Sequence, residues 1–105
     1  MTQTPEAELK KRIKDYLDDE GVYWSMIAGG AFAKKGDPDI IACVDGAYLA
    51  IEAKVDTRQS EWQKLRQRQI ENAGGIYIIA KSVEDVSDAV GRIRGVKDGD
   101  SSAEE

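Results

Sequence analysis

Apolar residues recur along this chain with two different spacings, one typical of helices and one typical of strands. Helical spacing occurs in three segments, within residues 5–20, 60–73 and 83–93. Short runs rich in β-branched and aromatic residues indicate strands, and these lie at residues 22–27, 39–44, 47–54 and 76–80. The pattern therefore predicts the element order α-β-β-β-α-β-α.

Turn signals between these segments indicate how the strands pair. Asp45-Gly46 is a strong signal for a tight hairpin between the second and third strands. The third strand leads through the second helix to the fourth strand, and such a connection should be a right-handed crossover. We therefore expect an α/β fold in which helices flank one mixed sheet.

Composition changes this picture in its charge distribution. At 105 residues the chain is expected to form one domain. Residues 98–105 hold four acidic residues and no basic one, so the net charge of -5 leaves only -1 on residues 1–97. We assign residues 1–97 to the domain and residues 98–105 to an acidic, disordered tail. Residues 54–68 hold five basic residues against two acidic ones, and local charge decides whether phosphate is attracted.

The inventory of reactive side chains excludes several kinds of site. The chain has no histidine, which excludes His-based zinc sites and Ser-His-Asp triads. Its single cysteine, Cys43, lies in an apolar run and is expected to be a core residue. No apolar stretch approaches the ~20 residues of a membrane-spanning helix, so we expect no membrane partner. Chemistry must then come from carboxylates, lysine, hydroxyls and a metal ion.

Charged residues stand at the ends of the most apolar strands. Because side chains alternate along a strand, Glu52 and Lys54 share one face, and the hairpin brings Asp39 alongside Glu52. A bland alternative is that Asp39 is a turn residue and that Glu52 and Lys54 form a solvated ion pair. The compact series of Pro-Asp, strand, hairpin and Glu-x-Lys favours a functional cluster.

The residues Pro38-Asp39 and Glu52-Ala53-Lys54 resemble the motif of the PD-(D/E)xK nuclease superfamily. The wider series resembles its VRR-Nuc (virus-type replication-repair nuclease) branch, and it adds the sequence GDPDII, Ser60 with Gln63, and Gly74-Gly75. The resemblance covers residues 6–95 and implies a restriction-endonuclease-like core. It also implies a cytoplasmic protein of a bacterial cell or a phage-infected host.

The resemblance implies roles for the clustered residues. Asp39, Glu52 and the backbone carbonyl of Ala53 would bind Mg²⁺ or Mn²⁺, and Lys54 would orient or activate the attacking water. Glu6 continues the inward stripe of the first helix and would join the metal site. Alternatively, Glu6 only complements the helix dipole, as Glu8 could do as well.

Other polar residues have two open interpretations. Gln63 either completes a capping box with Ser60 or contacts water or phosphate beside the metal. Four basic residues are candidates for DNA contacts, with solvated surface as the alternative: Lys34, Lys35, Arg58 and Arg66. Trp24 and Trp62 each fall on an apolar face and are expected to be core residues rather than base-stacking platforms.

The leading hypothesis is therefore a metal-dependent DNA endonuclease. By the resemblance, it would act as a homodimer on branched DNA such as Holliday junctions. The rival hypothesis is a non-catalytic module that keeps the fold and binds nucleic acid or protein. The presence of Asp39, Glu52 and Lys54 together favours the enzyme.

Overall fold

The computed structural model describes residues 4–27, 31–56 and 58–103, with side chains described through residue 95. The sequence AGGAFAKKG at residues 28–36 predicts a loop, of which residues 28–30 lie outside the described ranges. The elements in chain order are α1 (Pro5–Asp19), β1 (Tyr23–Met26), β2 (Ile40–Val44), β3 (Ala47–Ala53), α2 (Glu61–Asn72), β4 (Ile76–Ala80) and α3 (Val83–Ala103). The predicted order and the α/β class are confirmed.

The four strands form one mixed sheet in the order β1-β2-β3-β4. β1, β2 and β3 pair antiparallel, whereas β3 and β4 pair parallel. The hairpin between β2 and β3 turns at Asp45 and Gly46, whose φ angles of 50° and 87° are both positive. Two consecutive positive φ angles are what a type I′ turn requires, and the Asp-Gly pair supplies them at low cost. The predicted hairpin is therefore confirmed.

The hydrophobic core lies on one face of the sheet, beneath α1 and α3. α1 begins as predicted, because the Thr4 hydroxyl accepts a hydrogen bond from the Ala7 N–H and Pro5 occupies the first turn. The two helices and the inner positions of the strands share one buried cluster: Leu9, Ile13, Leu17, Val22, Ile40, Ala42, Val44, Leu49, Ile51, Ala53, Ala80, Val86, Ala89 and Val90. This continuous apolar layer fixes the strands that carry the site.

α2 lies on the opposite face, over β3 and β4, and none of its residues is fully buried. The expectation that Trp62 is a core residue is wrong, because its side chain is 45% exposed. Trp62 lies in the first turn of α2. Trp24 is different, since it is partly buried and packs against the core cluster.

The expectation that Cys43 is a core residue is also wrong, because its side chain is exposed. Along β2 the side chains of Ile40, Ala42 and Val44 face the core, so Cys43 faces the other side of the sheet. Cys43 pairs with Tyr23 of β1 and Tyr48 of β3, both of which are also exposed. The apolar run predicted burial, but only alternate positions of it are buried.

Within the described part of the chain, no helix is both long enough and apolar enough to cross a membrane. α3 extends to Ala103, beyond the apolar stripe that predicts a helix over residues 83–93. The division of the chain into a domain at residues 1–97 and an acidic tail at residues 98–105 stays a prediction.

Candidate active site

Asp39 and Glu52 lie opposite each other where β2 begins and β3 ends. The last pair of the hairpin register is Ile40 with Ile51, so the next residues outward are Asp39 and Glu52. Both carboxylates are almost buried, with 6% of Asp39 and 7% of Glu52 exposed. The hairpin geometry predicted from the sequence therefore brings two acids together in a site shielded from water.

Each oxygen of Asp39 has a different partner. Oδ2 accepts a hydrogen bond of 2.9 Å from the backbone N–H of Ala53, the residue that follows Glu52. Oδ1 lies 3.4 Å from the ammonium of Lys10, which projects from α1. The first contact ties the start of β2 to the end of β3, and the second brings a cation into the site.

Lys10 was not identified from the sequence as a site residue. A signal for it exists, because Lys10 follows Glu6 by four residues and precedes the buried Ile13 by three. Residues at these spacings share a helix face, so Lys10 belongs to the same inward stripe that singled out Glu6. A lysine within such a stripe implies a buried acidic partner, and Asp39 is that partner.

Glu52 is incompletely satisfied in its buried position. Oε2 accepts a hydrogen bond of 2.8 Å from the side-chain amide of Gln63, whereas Oε1 is buried and has no hydrogen-bond partner among the residues that the structure describes. Burial first, and then the charge of Asp39, raise the pKa of Glu52 from 4.5 to about 7, against the opposing effect of Lys54 and Lys10. The two lysines therefore do not offset the cost of burying this carboxylate beside Asp39.

Gln63 completes the predicted capping box and also contacts Glu52, whereas its contact with water or phosphate stays a prediction. Its side-chain oxygen accepts a hydrogen bond of 2.8 Å from the backbone N–H of Ser60, and its own backbone N–H donates to the Ser60 hydroxyl. The capping box is therefore present. Because the amide oxygen serves the cap, the amide nitrogen faces Glu52 and donates to it. The helix cap therefore orients a hydrogen-bond donor toward the site.

Lys54 lies one residue beyond the end of β3 and affects the same carboxylate. Its side chain is half-buried, its ammonium is 3.9 Å from Asp56, and its charge lowers the pKa of Glu52. Glu6 is half-buried on α1, and its charge raises the pKa of Glu52 less than burial or the charge of Asp39 does. The metal-ligand roles of Glu6 and of the Ala53 carbonyl stay predictions.

Tyr77 is a second residue that sequence reasoning missed. Its ring is buried under α2, and its hydroxyl has no hydrogen-bond partner of standard geometry, although the Gln59 side chain lies nearby. Burial raises the pKa of the Tyr77 hydroxyl, and the charges of Glu52 and Asp39 raise it further, while Gln59 opposes them. Tyr77 sits in an apolar strand, IYIIA, so no sequence pattern distinguished it from a core residue.

The predicted basic residues are placed on two sides of the site. Lys34 and Lys35 are exposed on the loop that leads to Asp39, and Arg58 is exposed shortly after Lys54. Arg66 is engaged within the protein, because its Nε donates to the Lys35 carbonyl at 3.2 Å and lies 3.6 Å from Asp37. Contacts of all four with DNA stay predictions.

The residues present fit a hard divalent cation. Mg²⁺ is usually bound by one or two carboxylates and keeps several waters, and Asp39 with Glu52 supplies such a pair. The buried Oε1 of Glu52, which has no partner, is a free acceptor of the kind that a cation satisfies. Among residues 4–27, 31–56 and 58–103, no three acidic, His or Cys side chains are gathered as a metal cluster. The remaining coordination would therefore fall to water, backbone oxygen and substrate.

Comparison with solved structures identifies the fold. A structure described as a VRR_NUC domain superposes with a TM-score of 0.71 at 19% sequence identity, and the match covers 84% of this chain and 96% of that one. A second, described as a VRR_NUC domain protein, gives a TM-score of 0.66 at 20% identity, covering 88% of this chain and 89% of that one. No protein-family model and no curated protein matches the chain. The resemblance to VRR-Nuc domains is therefore confirmed at the level of the fold.

Proposed function

We propose that this protein is a Mg²⁺- or Mn²⁺-dependent endonuclease that hydrolyses phosphodiester bonds in DNA. One observation carries the proposal: Asp39 and Glu52 converge at a strand end, and Glu52 keeps a buried oxygen without a partner. An arrangement that only stabilised the fold would satisfy that oxygen, because an unpaired buried polar atom costs about 1–3 kcal/mol. Similarity of the fold to VRR_NUC domains supports the same assignment.

The cation would be held by Asp39 and Glu52, with the Ala53 carbonyl as a further ligand, and Glu6 would have to move toward the pair to join them. When bound, it supplies Lewis acidity toward the phosphate and a lowered pKa for a water. Gln63 keeps Glu52 in position through its amide N–H, and the Ala53 N–H does the same for Asp39. Each carboxylate is thus held by one hydrogen bond and retains another oxygen for the cation.

Lys54 is the residue best placed to act on the attacking water. It follows Glu52 by two residues, one position beyond the end of β3, and its charge acts on that carboxylate. Its ammonium can orient a water and neutralise charge that develops on the phosphate. The contact with exposed Asp56, at 3.9 Å, is long enough to be exchanged for a substrate contact.

Lys10 gives the metal-free site an internal counter-ion. Its ammonium neutralises Asp39 at 3.4 Å, at the position where a bound cation would compete for the same oxygen. We propose that Lys10 shifts away from Asp39 when the cation binds and that it then faces the phosphate backbone. This arrangement lessens the repulsion between the two carboxylates before the cation arrives.

The resemblance to VRR-Nuc domains extends the proposal to a substrate and an oligomeric state. We propose that the protein cuts branched DNA of the Holliday-junction type as a homodimer, because two active sites are needed for two cuts. Light scattering checks the dimer, and mapping of the cut positions on a four-way junction checks the substrate. A monomer that cuts only linear duplex would remove this part and leave the nuclease assignment standing.

The central test is incubation with linear, flapped and four-way DNA, with Mg²⁺, with Mn²⁺ and with chelator. Cleavage is expected only with metal, and Asp39→Asn and Lys54→Ala should each remove it. Glu61→Gln on α2 is the matched control, because Glu61 is exposed and pairs only with Lys64. Absence of cleavage of every DNA, together with no metal binding by calorimetry, would overturn the proposal in favour of a binding module.

A further inference from the structure

An exposed tryptophan beside the site carries two cations on its ring. The ammonium of Lys35 lies 5.7 Å from the centroid of the Trp62 indole, and the guanidinium of Arg66 lies 5.8 Å from it. We call these three residues the Trp62 platform. Cations within about 6 Å of an indole face are attracted to it, so the three side chains are held together.

The platform is built into the backbone rather than formed by chance contacts. Gly36 has a φ of 86°, and a Cβ there would lie 2.5 Å from the carbonyl carbon and oxygen of Trp62. Only glycine therefore allows the loop to approach the first turn of α2 so closely. Arg66 adds a hydrogen bond to the Lys35 carbonyl and an ion pair with Asp37, whose partners are only 14% and 18% exposed.

The two segments that carry the Trp62 platform both continue into residues of the candidate active site. Trp62 precedes Gln63, whose amide donates to Glu52, and consecutive Cα atoms are only about 3.8 Å apart. The loop that carries Lys35 continues through Asp37 and the buried Pro38 to Asp39. The indole therefore lies one residue along α2 from the side chain that contacts Glu52, and it packs against the loop that leads to Asp39.

We propose that Trp62 stacks on an unpaired nucleobase next to the phosphodiester that the enzyme cuts, with Lys35 contacting the adjacent phosphate. The inference rests on the nuclease function proposed above and narrows the branched substrates to those that have unpaired bases next to the cut. An indole 45% exposed offers a ring surface, and bases stack on such rings with about 1–3 kcal/mol each. Bases inside a duplex are already stacked on their neighbours and cannot use this surface.

Lys35 suits the second half of the contact. Its side chain is exposed, so its ammonium can leave the indole for a phosphate when a base occupies the ring. Arg66 is held by Asp37 and by the Lys35 carbonyl, and it therefore remains to support the indole. Lys35 can therefore move to a phosphate, while Arg66 keeps the indole of Trp62 in position.

The experiment measures DNA binding separately from cleavage. Labelled DNA with a single-stranded gap and fully paired duplex of the same sequence are titrated with Asp39→Asn protein and followed by fluorescence anisotropy. Adding Trp62→Ala should weaken binding of the gapped DNA by about 5- to 150-fold, which is 1–3 kcal/mol, and change duplex binding less than about twofold. Trp62→Phe should retain much of the binding, because a ring remains.

Matched controls test the position and the stacking. Tyr23→Ala removes another exposed aromatic ring, on β1, which is 76% exposed, and should leave both affinities unchanged. The chain contains two tryptophans, so Trp24→Phe makes Trp62 the single indole. Gapped DNA should then quench its fluorescence, and paired duplex should not.

The outcomes separate the two proposals. If wild-type protein cuts DNA but Trp62→Ala binds and cuts gapped DNA equally well, the platform inference is overturned and the nuclease stands. If DNA quenches Trp62 and no DNA is ever cut, the nuclease proposal fails and the platform remains a nucleic-acid contact. Absence of both binding and cleavage overturns both.

Discussion

The two faces of the sheet differ in what they hold. The face beneath α1 and α3 is apolar, and residues such as Ile13, Leu17 and Val86 are completely buried there. The face beneath α2 carries Glu52 and Tyr77, each with a buried polar atom that lacks a partner, and α2 buries no residue fully. The first face therefore supplies most of the stability, whereas the second tolerates unfavourable polar burial at the proposed site. Substitutions should accordingly separate folding from activity.

The largest expected effect on stability comes from the apolar face. Leu17→Ala should lower the free energy of unfolding by about 2–5 kcal/mol, because it leaves a cavity in a fully packed layer. Leu65→Ala on the half-buried surface of α2 should cost about 1 kcal/mol or less. Denaturant unfolding of both variants measures the difference, and equal losses would contradict the division between the two faces.

Neutralising Glu52 should raise the free energy of unfolding rather than lower it. In chelator at pH 8, Glu52→Gln should raise the free energy of unfolding by about 1–3 kcal/mol, because it removes a buried carboxylate whose charge is unfavourable. Glutamine still offers an oxygen to the Gln63 amide, so that hydrogen bond is retained. Cleavage by the same variant should be lost. A variant less stable than wild type would show that the ionised carboxylate is structural.

The effect of Glu52 on stability should depend on pH in a defined direction. Folding raises the pKa of Glu52 from 4.5 to about 7, so between these values the folded protein binds more protons than the unfolded chain. Stability therefore falls as pH rises through this window. The advantage of Glu52→Gln over wild type should be absent near pH 4.5, grow through pH 7 and level off above it. Thermal unfolding in chelator across this range measures it.

Removing Lys10 should have a smaller effect that depends on metal. In chelator, Lys10→Met should cost about 1 kcal/mol, because it leaves the nearly buried Asp39 without its cation. Saturating Mn²⁺ should reduce this loss by replacing the missing charge, so the variant gains more thermal stability from metal than wild type does. Lys11→Met, which affects only an exposed pair with Asp15, is the control. An identical loss with and without metal would contradict the counter-ion role.

The smallest expected effect concerns Cys43. Cys43→Ser should change the free energy of unfolding by less than about 0.5 kcal/mol, because the side chain is exposed on the face that α2 leaves uncovered. Ala42→Ser, one residue earlier and buried in the core, should cost clearly more. Native protein should also react readily with a thiol reagent at Cys43. Protection of that thiol until the protein unfolds would contradict its exposed position.

Local patterns predicted the parts of the fold that depend on neighbouring residues. Thr4-Pro5 sets the start of α1, Asp45-Gly46 sets the hairpin, and Ser60 with Gln63 sets the start of α2. The hairpin register in turn places Asp39 beside Glu52, so the central pair of the site follows from the spacing along the chain. The predicted placement of this pair is confirmed, while its role in binding a metal stays a prediction.

Positions that depend on packing between distant elements were not predicted. Cys43 and Trp62 belong to apolar patterns, yet both are exposed, because burial depends on which surface another element covers. Lys10 shares the inward stripe of α1, but only the approach of α1 to the strand ends pairs it with Asp39. The apolar strand around Tyr77 predicts a core residue, but it does not predict that the Tyr77 hydroxyl is buried without a partner among the described residues.

The sequence by itself determined the order of the elements, the hairpin and the pairing of Asp39 with Glu52, because these follow from periodicity, turn geometry and strand register. Only the tertiary structure decided that Lys10 neutralises Asp39, that one oxygen of Glu52 has no partner and that Trp62 lies open beside the site. The physical reason is that burial and charge pairing depend on contacts between elements that are distant in sequence. The spacing of residues within one element does not specify those contacts.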